Sequence, residues 1–518
     1  MNNFQFIQSL YKGKNCYSDS MSDEQIELLH ISSGVESIIS RMIQENRIVF
    51  LTGNPGDGKT YIIRALSDIL ENVYTVTDLN SVTDAGLDEV IEKINDCYCK
   101  NKPCVIAANE FPFYKLTNRV KELFPRVHEE LMQVKRNIII YGHPSVVLGR
   151  ICVIDLNERN LLDKDHNVIK QILDRFTVLL EDFVGSNPVL SHNISALKCE
   201  LVQSQLLTLF SLISMTGQHF VIRDILGTIS YILVSCTDVE KEGSGFYYDA
   251  LFEGDNDFMQ FAKQFDPVLL SSPSFDERLW NGELTEGWQV GIPDRWPFQI
   301  SNGNGSAEEA TILFKSIKRK FFFENCYSKN IASLQSQDIQ ECIELLVKLK
   351  QDSSKYKRML TYSMNKLFLS SDEEYEKLRI WTSHSYDLSR FSSAAVSTRY
   401  ISIDELDLAY PEPIPWLREM EYSPSYIVML AKKNKDIKLE IDIDLLRSLM
   451  LIKNGYPTSL LSTRYEQMVS QFVKSLYAGG FSRDYGDGEI LIADRRSGDC
   501  KRIRIEHNKY YLGKEVSF

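Results

Sequence analysis

The hydrophobic pattern of residues 36–185 alternates between short apolar runs and segments with helical periodicity. Val35 to Glu45 carries apolar residues on one helical face, and the segments 85–95 and 116–133 are also predicted helices. Strands alternating with helices at this spacing predict an α/β domain with a parallel sheet that ends near residue 185. The apolar runs predicted as its strands are 48–52, 72–77, 102–110, 137–141 and 150–155.

The pattern changes after residue 185. Segments 201–214 and 220–234 are strongly apolar and predict a helical bundle, whereas 243–302 is rich in Gly, Pro and aromatics and predicts ordered loops. A basic-aromatic helix is predicted over 312–324, where the aromatics favour a core and the cations favour contact with a phosphate backbone. Of residues 1–35, only a short helix near Asp23 to His30 is predicted.

The C-terminal part of the chain has a mixed pattern. Residues 331–400 have a helical, charged pattern, and the alternating prolines of Tyr410 to Trp416 predict a stiff linker. The predicted domains are therefore 1–35, 36–185, 186–330, 331–410 and 411–518. In the last of these, helices are predicted over 439–451 and 464–477, and short strands over 489–494, 502–506 and 510–512.

One contiguous motif lies between the first predicted strand and a predicted helix. Residues 53–60 fit the pattern G-x-x-x-x-G-K-[ST], which in this context predicts a phosphate-binding P-loop. Its glycines let backbone N–H groups surround a polyphosphate, Lys59 can reach the β- and γ-phosphates, and the Thr60 hydroxyl can hold Mg²⁺. The predicted cofactors are ATP and Mg²⁺. The predicted cofactor-binding residues here are Gly53, Asn54, Pro55, Gly56, Asp57, Gly58, Lys59, Thr60 and Tyr61.

A carboxylate at a neighbouring strand end is needed to polarise the attacking water. The third predicted strand ends in Asn109-Glu110, so Glu110 is the predicted general base and Asn109 a polar helper at the metal beside Thr60. Asp-Glu is the usual pair at such a strand end, and Asn carries no charge. Asp155 and Asp78, at the ends of two other predicted strands, remain alternatives for the base.

Three further residues are predicted to reach the phosphates. Asn157 and Arg159 directly follow the predicted strand 150–155. They are predicted to reach the phosphates because ligands bind beyond the carboxyl ends of parallel strands. The helical bundle after the sheet resembles the lid of AAA+ ATPases, and this resemblance implies that Arg223, in the first turn of a bundle helix, folds back onto the γ-phosphate. Arg159 and Arg278 are both candidates for an arginine supplied to a neighbouring subunit.

Composition narrows the class of protein. A chain of 518 residues is too long to fold around one hydrophobic core, so several domains are expected. Its content of 43% apolar and 25% charged residues is typical of a globular protein. We expect a cytoplasmic protein with reduced thiols, because neither a signal peptide nor an 18-residue apolar run is present. The net charge of −13 argues against a wholly nucleic-acid-binding surface. The basic residues after 495 have two interpretations that stay open. They form a contact for DNA or an acidic partner, or they lie on a solvated face of a sheet.

Several segments in fixed order resemble a known family. They are 53–60, Val105 to Glu110, Val153 to Arg159, Val221 to Leu226, Phe265 to Pro267 and Lys318 to Glu324. Together they resemble AAA+-like ATPases encoded in bacterial defence islands, and most of all the ATPase of DNA phosphorothioation-dependent restriction. The resemblance covers roughly residues 36–330 and, more loosely, the chain from Lys438.

The resemblance implies an α/β P-loop NTPase core with an AAA+-like parallel sheet, a helical lid and a mixed α+β C-terminal region. It implies an ATPase that acts with other subunits of a defence complex against invading DNA, as a homo- or hetero-oligomer. Two alternatives stay open. One is a nucleotide-gated switch or scaffold with weak hydrolysis, which Asn109 favours; the other is a helicase loader or DNA-remodelling ATPase.

Overall fold

The computed structural model describes residues 2–515 except 12–20, 142–148, 186, 215–217, 236–244, 328–336, 383–393, 412–418, 424–425, 487, 495–496 and 508. The chain forms two compact units. Unit 1 comprises residues 1–214, 218–335 and 412–423, and unit 2 comprises 215–217, 336–411 and 424–518. The short segment 412–423 is thus part of unit 1, although it lies far along the chain.

Unit 1 contains a four-stranded parallel sheet in the order β2-β3-β1-β4. Ile48 of β1 aligns with Cys104 of β3 on one side and with Ile151 of β4 on the other. The predicted α/β character is confirmed, with the strands β1 (Ile48–Thr52), β2 (Tyr74–Val76), β3 (Cys104–Ala107) and β4 (Ile151–Asp155).

Helices cover both faces of this sheet. Successive residues of β1 face opposite sides of the sheet, and the residues on both sides are apolar. Val49 and Leu51 pack in one cluster, and Ile48 and Phe50 pack in another. The helices of this part of the chain are α1 (Asn3–Tyr11), α2 (Asp23–Leu29), α3 (Gly34–Gln44), α4 (Lys59–Ala65), α5 (Ser67–Leu70), α6 (Asp84–Lys100), α7 (Glu110–Leu123) and α8 (Pro125–Tyr141).

The strand predicted over 137–141 is wrong, because these residues are the last turns of α8. Their β-branched run favours a strand locally, but the helix that begins at Pro125 continues through them, so local propensity is overridden. The predicted helix 116–133 is two helices, α7 and α8, that meet at Pro125. α1 was not predicted; Phe6, Ile7 and Leu10 lie buried on one of its faces.

The rest of unit 1 is helical and shares one large core with α1 and α2. The loops predicted over 243–302 are in part short helices, two of which begin with a proline. The helices are α9 (Val168–Leu179), α10 (Pro188–Lys198), α11 (Glu200–Ser214), α12 (Ile222–Val234), α13 (Tyr247–Glu253), α14 (Asp257–Ala262), α15 (Pro273–Trp280), α16 (Pro297–Ser301) and α17 (Ala307–Glu324).

Three cations of α17, Lys318, Arg319 and Lys320, are buried and so are not available for contact with a phosphate backbone, whereas Lys315 of the same helix is exposed. Arg319 is 7% exposed, and its guanidinium donates to Asp249 at 3.0 Å and to Asp266 at 2.8 Å. Lys318 is 1% exposed and pairs with Asp276 at 2.7 Å. These pairs join α17 to the helices and loops around it.

Unit 2 combines antiparallel sheets with helices, which confirms the predicted mixed α+β C-terminal region. Its sheets have the orders β10-β6-β11-β12-β13, with β5 paired to β6, and β7-β8-β9. The strands are β5 (Lys377–Thr382), β6 (Ala394–Ser402), β7 (Leu406–Ala409), β8 (Ile427–Ala431), β9 (Asn434–Ile441), β10 (Ser482–Asp484), β11 (Glu489–Asp494), β12 (Cys500–Glu506) and β13 (Lys509–Glu515).

Four helices pack with these sheets around the core of unit 2. The helical interpretation of 331–400 is wrong from Lys377 onward, where β5 and β6 lie. The linker predicted over Tyr410 to Trp416 falls mostly outside the described residues. The predicted helix 439–451 is the end of β9 followed by a helix. The helices are α18 (Gln337–Lys348), α19 (Ser353–Phe368), α20 (Ile443–Lys453) and α21 (Thr463–Ala478).

Among the described helices, no single one has the length and apolar character needed to cross a membrane. The pair α10 and α11, bent by 78° at its break, meets the length and composition criteria only when taken together.

Candidate functional site

The glycine loop, residues 53–60, begins where β1 ends and leads into α4. Gly53, Gly56 and Gly58 have φ angles of 144°, 101° and 86°, which side-chain-bearing residues rarely adopt. A Cβ on Gly53 would lie 2.6 Å from Asp57 Oδ2, and one on Gly56 would lie 3.1 Å from Arg223 Cζ. The loop therefore needs glycine at these positions both for its backbone and for the close approach of its neighbours.

Lys59 lies under the loop and is largely buried. Its Nζ donates to the carbonyl oxygens of Gly53, at 2.9 Å, and Asn54, at 2.7 Å. Burial lowers the pKa of Lys59, while the carboxylates of Asp57, Asp78 and Asp155 act in the opposite direction. The ammonium is thus held at the loop in a ring of acidic groups.

A buried carboxylate inside the loop connects it to the helical part of unit 1. Asp57 is 2% exposed; its Oδ2 accepts from the Asn54 N–H at 2.5 Å, and its Oδ1 lies 2.6 Å from His219 Nε2. The sequence did not single out His219, which is 162 residues from Asp57. Arg223 lies on the same side, and its backbone N–H donates to the Gly56 carbonyl at 3.3 Å.

Two carboxylates end the strands on either side of β1. Asn109 caps α7 and Glu110 is its first residue, directly after β3, and Asp155 ends β4. Because β1, β3 and β4 are parallel, both carboxylates lie at the edge of the sheet from which the glycine loop starts. The strand order therefore leaves Glu110 and Asp155 both adjacent to the loop strand.

The two carboxylates differ in environment. Glu110 is exposed and accepts a long hydrogen bond of 3.4 Å from Asn157 Nδ2. Asp155 accepts from the Asn157 N–H at 3.1 Å, and burial raises its pKa, with Glu110 adding to the effect. Burial also raises the pKa of the nearby Glu158 to about 7. Asn157 Oδ1 is buried and has no hydrogen-bond partner among the described residues.

Arg159 is brought to a different part of the site from Asn157. Its Nε donates to Glu421 Oε2 at 2.8 Å, and both side chains are only 8% exposed. Glu421 also accepts from the Gly34 N–H at 3.0 Å, and the neighbouring Met420 is fully buried in the cluster with β1. Arg278 is the other candidate for an arginine supplied to a neighbouring subunit. It is exposed, and its Nε lies 3.8 Å from Glu283 Oε2.

The glycine loop opens into a cavity of about 300 Å³. It is lined by Pro55 to Thr60 of the loop, by Thr77, Asp78 and Asn80 after β2, by Asn109, and by Arg159, Ile222 and Arg223, whereas the predicted Gly53 and Asn54 lie outside the lining. Thr60 borders the cavity, and its Oγ1 lies 3.4 Å from the Thr77 carbonyl oxygen. The predicted residues Pro55 to Tyr61, Asn109, Arg159 and Arg223 thus share one cavity, whereas Glu110, Asp155 and Asn157 lie outside its lining.

Comparison of the chain with family models, curated proteins and solved structures yields no match. The site's geometry therefore carries the functional argument. A glycine loop at a helix N-terminus directs N–H groups outward and suits an anion. Among the described residues, no group of three or more His, Cys, Asp or Glu side chains that could hold a metal ion occurs.

Proposed function

We propose that the chain is a P-loop nucleoside triphosphatase of AAA+ type that binds ATP with Mg²⁺. The observation that carries this proposal is the glycine loop with its three positive-φ glycines, placed between β1 and α4 and open to the cavity. A volume of about 300 Å³ falls in the range of small-molecule sites. Loop amides, the N-terminus of α4 and the Lys59 ammonium supply the positive potential that a triphosphate needs.

Each residue has a defined part in this proposal. Lys59 would exchange its loop carbonyl partners for phosphate oxygens, and Thr60, with Asn109 acting through water, would hold Mg²⁺. The metal would neutralise charge on the phosphates. Glu110 is the proposed base because it is exposed and accepts only a long hydrogen bond, from Asn157, among the described residues, and Asp155 is the alternative. Arg223 borders the cavity from α12 and would add a second cation to the phosphates.

The biological role is proposed from the family resemblance. The chain would act in the cytoplasm as an oligomeric subunit of a bacterial antiphage or restriction complex that senses foreign DNA, like the ATPase of phosphorothioation-dependent restriction. The buried cations of α17 give no support to direct DNA contact. Lys501, Arg502 and Arg504 on β12 are exposed, although Arg502 and Arg504 have acidic neighbours at 3.7 Å and 2.7 Å.

The test of the ATPase assignment is the change Lys59→Ala. We expect loss of ATP hydrolysis with the fold retained, because the hydrogen bonds of the removed ammonium to described residues go to two loop carbonyls. Activity is measured as phosphate release, and Lys100→Ala is the matched control, since Lys100 is exposed and pairs with Asp96 on its own helix. Wild-type turnover in Lys59→Ala would exclude the assignment.

A second candidate function is a nucleotide-gated switch that hydrolyses ATP weakly. It is favoured by Asn109, an uncharged residue where an acid is usual, at the cavity wall. Steady-state ATPase assays with and without DNA separate the two: an active ATPase turns over repeatedly, whereas a switch binds ATP and turns over little. A stable DNA complex that weakens with salt would favour a loader or DNA-remodelling role instead.

Comparison of Glu110→Gln with Asp155→Asn identifies the base. A general base affects the rate more than affinity, so Glu110→Gln is expected to bind ATP and to hydrolyse it at least about 10²-fold more slowly. If Asp155→Asn alone abolishes turnover, Asp155 is the base and Glu110 is not.

A further inference from the structure

Apolar side chains and Glu36 line the cavity together with the glycine loop. Glu36 lies in the first turn of α3. The ring of Tyr61, which also lines the cavity, lies 6.0 Å from the ring of His30, and the two are inclined by 22°. The lining contains the polar residues Ser33 and Arg159, and its apolar residues include Met21, Leu29, Ile31, Val168 and Leu226.

Glu36 has one oxygen with a neighbour and one without. Its Oε2 lies 3.8 Å from His30 Nε2, whereas its Oε1 is buried and has no hydrogen-bond partner among the described residues. The side chain is 17% exposed. Burial raises the pKa of Glu36, and Glu421 adds to this rise, while His30 and Arg159 oppose it. Leaving a buried carboxylate oxygen unpaired is costly, and such an atom in a cavity is explained when a ligand supplies the missing donor.

The chemistry of these lining residues fits a purine base. Apolar walls accept the faces of a flat aromatic ring, and a few placed polar groups give a ligand site its specificity. One unpaired acceptor matches one N–H donor on the ring edge. Adenine presents such a donor at position 6, its exocyclic amino group, whereas a 6-oxo purine presents there an oxygen acceptor, which a carboxylate repels, and its nearest donor, N1–H, lies one ring position away.

We propose that Glu36 selects adenine by accepting a hydrogen bond from its exocyclic amino group, so that the cavity prefers ATP to 6-oxo purine nucleotides. This inference rests on the proposed function, in which the glycine loop binds the triphosphate. It adds a specificity-determining residue that lies outside the glycine loop and its flanking strands. Glu36 is a binding residue in this arrangement and takes no part in phosphate transfer.

The test is a titration of the full chain with Mg²⁺ and ATP, ITP or GTP, measured by calorimetry at low temperature so that hydrolysis is slow. We expect the wild type to bind ATP about tenfold or more tightly than ITP. In Glu36→Ala the ratio is expected to fall close to one, through weaker ATP binding and unchanged ITP binding. Glu36→Gln, which keeps one acceptor oxygen, is expected to retain an intermediate preference.

Glu45→Ala is the matched control on the same helix, because Glu45 is the exposed C-cap of α3 and pairs with Arg47. Circular dichroism establishes that each variant is folded. Equal ATP and ITP affinity in the wild type, tighter binding of GTP, or equal losses for all three nucleotides in Glu36→Ala would overturn the inference. Absence of binding by every nucleotide, in wild type and Lys59→Ala alike, would instead overturn the proposed function and this inference with it.

Discussion

The buried pair of Arg159 and Glu421 allows a quantitative prediction of stability. In Glu421→Gln the side chain keeps its shape but loses its charge and one of its two acceptor oxygens. The wild-type carboxylate accepts from Arg159 Nε at 2.8 Å, from the Gly34 N–H at 3.0 Å and from Ser33 Oγ at 3.2 Å. The substitution therefore leaves the guanidinium without its counter-charge and at least one of these donors without an acceptor.

The expected cost follows from burial. Both side chains are 8% exposed, so water does not replace the lost partner. Removing one partner of a buried ion pair costs about 3–5 kcal/mol, and we expect about 3 kcal/mol here because the Gln oxygen still accepts one hydrogen bond. The neighbouring Glu419 pairs with Arg41 at 2.9 Å, but these side chains are 44% and 41% exposed. Glu419→Gln is therefore expected to cost only about 0–1 kcal/mol.

Urea unfolding followed by circular dichroism measures the free energies, and hydrogen exchange locates the effect. In the wild type the Gly34 N–H donates a hydrogen bond to Glu421. A loss of about 3 kcal/mol corresponds to roughly 100-fold less protection of this amide against hydrogen exchange. Equal unfolding midpoints and equal Gly34 protection in Glu421→Gln and Glu419→Gln would refute the reasoning.

The same pair predicts a pH dependence. Burial alone would raise the pKa of Glu421, but Arg159 and the backbone N–H groups outweigh it and lower the pKa below its ordinary value of 4.5. A lowered pKa stabilises the fold above the unfolded-state pKa, and this stabilisation is lost as the pH falls through the folded-state pKa. The stability difference between wild type and Glu421→Gln should therefore be constant near neutral pH and shrink below about pH 4.

Two further predictions concern the loop and α12. His219→Ala removes one partner of the buried Asp57 carboxylate, which also accepts from the Asn54 N–H, so nucleotide affinity measured by calorimetry is expected to fall about tenfold. Unchanged affinity would show that His219 does not order the loop for nucleotide binding. Arg223→Ala is expected to lower the rate of phosphate release about 10²-fold or more. In the wild type, activity per chain should rise with protein concentration if a neighbouring subunit adds an arginine to the site. Activity that is independent of concentration in a strictly monomeric protein would rule out that neighbour.

The local parts of the fold were accessible from the sequence, because their signals are contiguous. The glycine loop, β1 and α4 lie within about 20 residues, so their order predicts the turn without tertiary information. Helix α1 carries a comparable signal, Phe6, Ile7 and Leu10 on one face, and periodicity alone could have predicted it. Pro273 and Pro297, each at a helix start, were likewise signals for helices within the predicted loops.

The remaining parts depend on partners distant in the chain. Asp57 and His219 are 162 residues apart, and Arg159 and Glu421 are 262 residues apart, so a single sequence offers no pattern that pairs them. The apolar run 137–141 shows a different limit. Its residues favour a strand, but α8 continues through them, and a local propensity does not reveal that the preceding helix extends so far.

The placement of Met420 and Glu421 in unit 1 has a consequence for how the protein is made. β7 and β8 are antiparallel neighbours, yet the connection between them carries residues that complete the core beside β1 and hold Arg159 at the cavity. During synthesis from the N-terminus, unit 1 therefore cannot reach its final packing until residues beyond 421 have left the ribosome. A fragment that stops at residue 335 would contain the glycine loop but leave Arg159 without Glu421. We expect truncation at this boundary to yield a less stable protein than either the full chain or a fragment rejoined to residues 412–423.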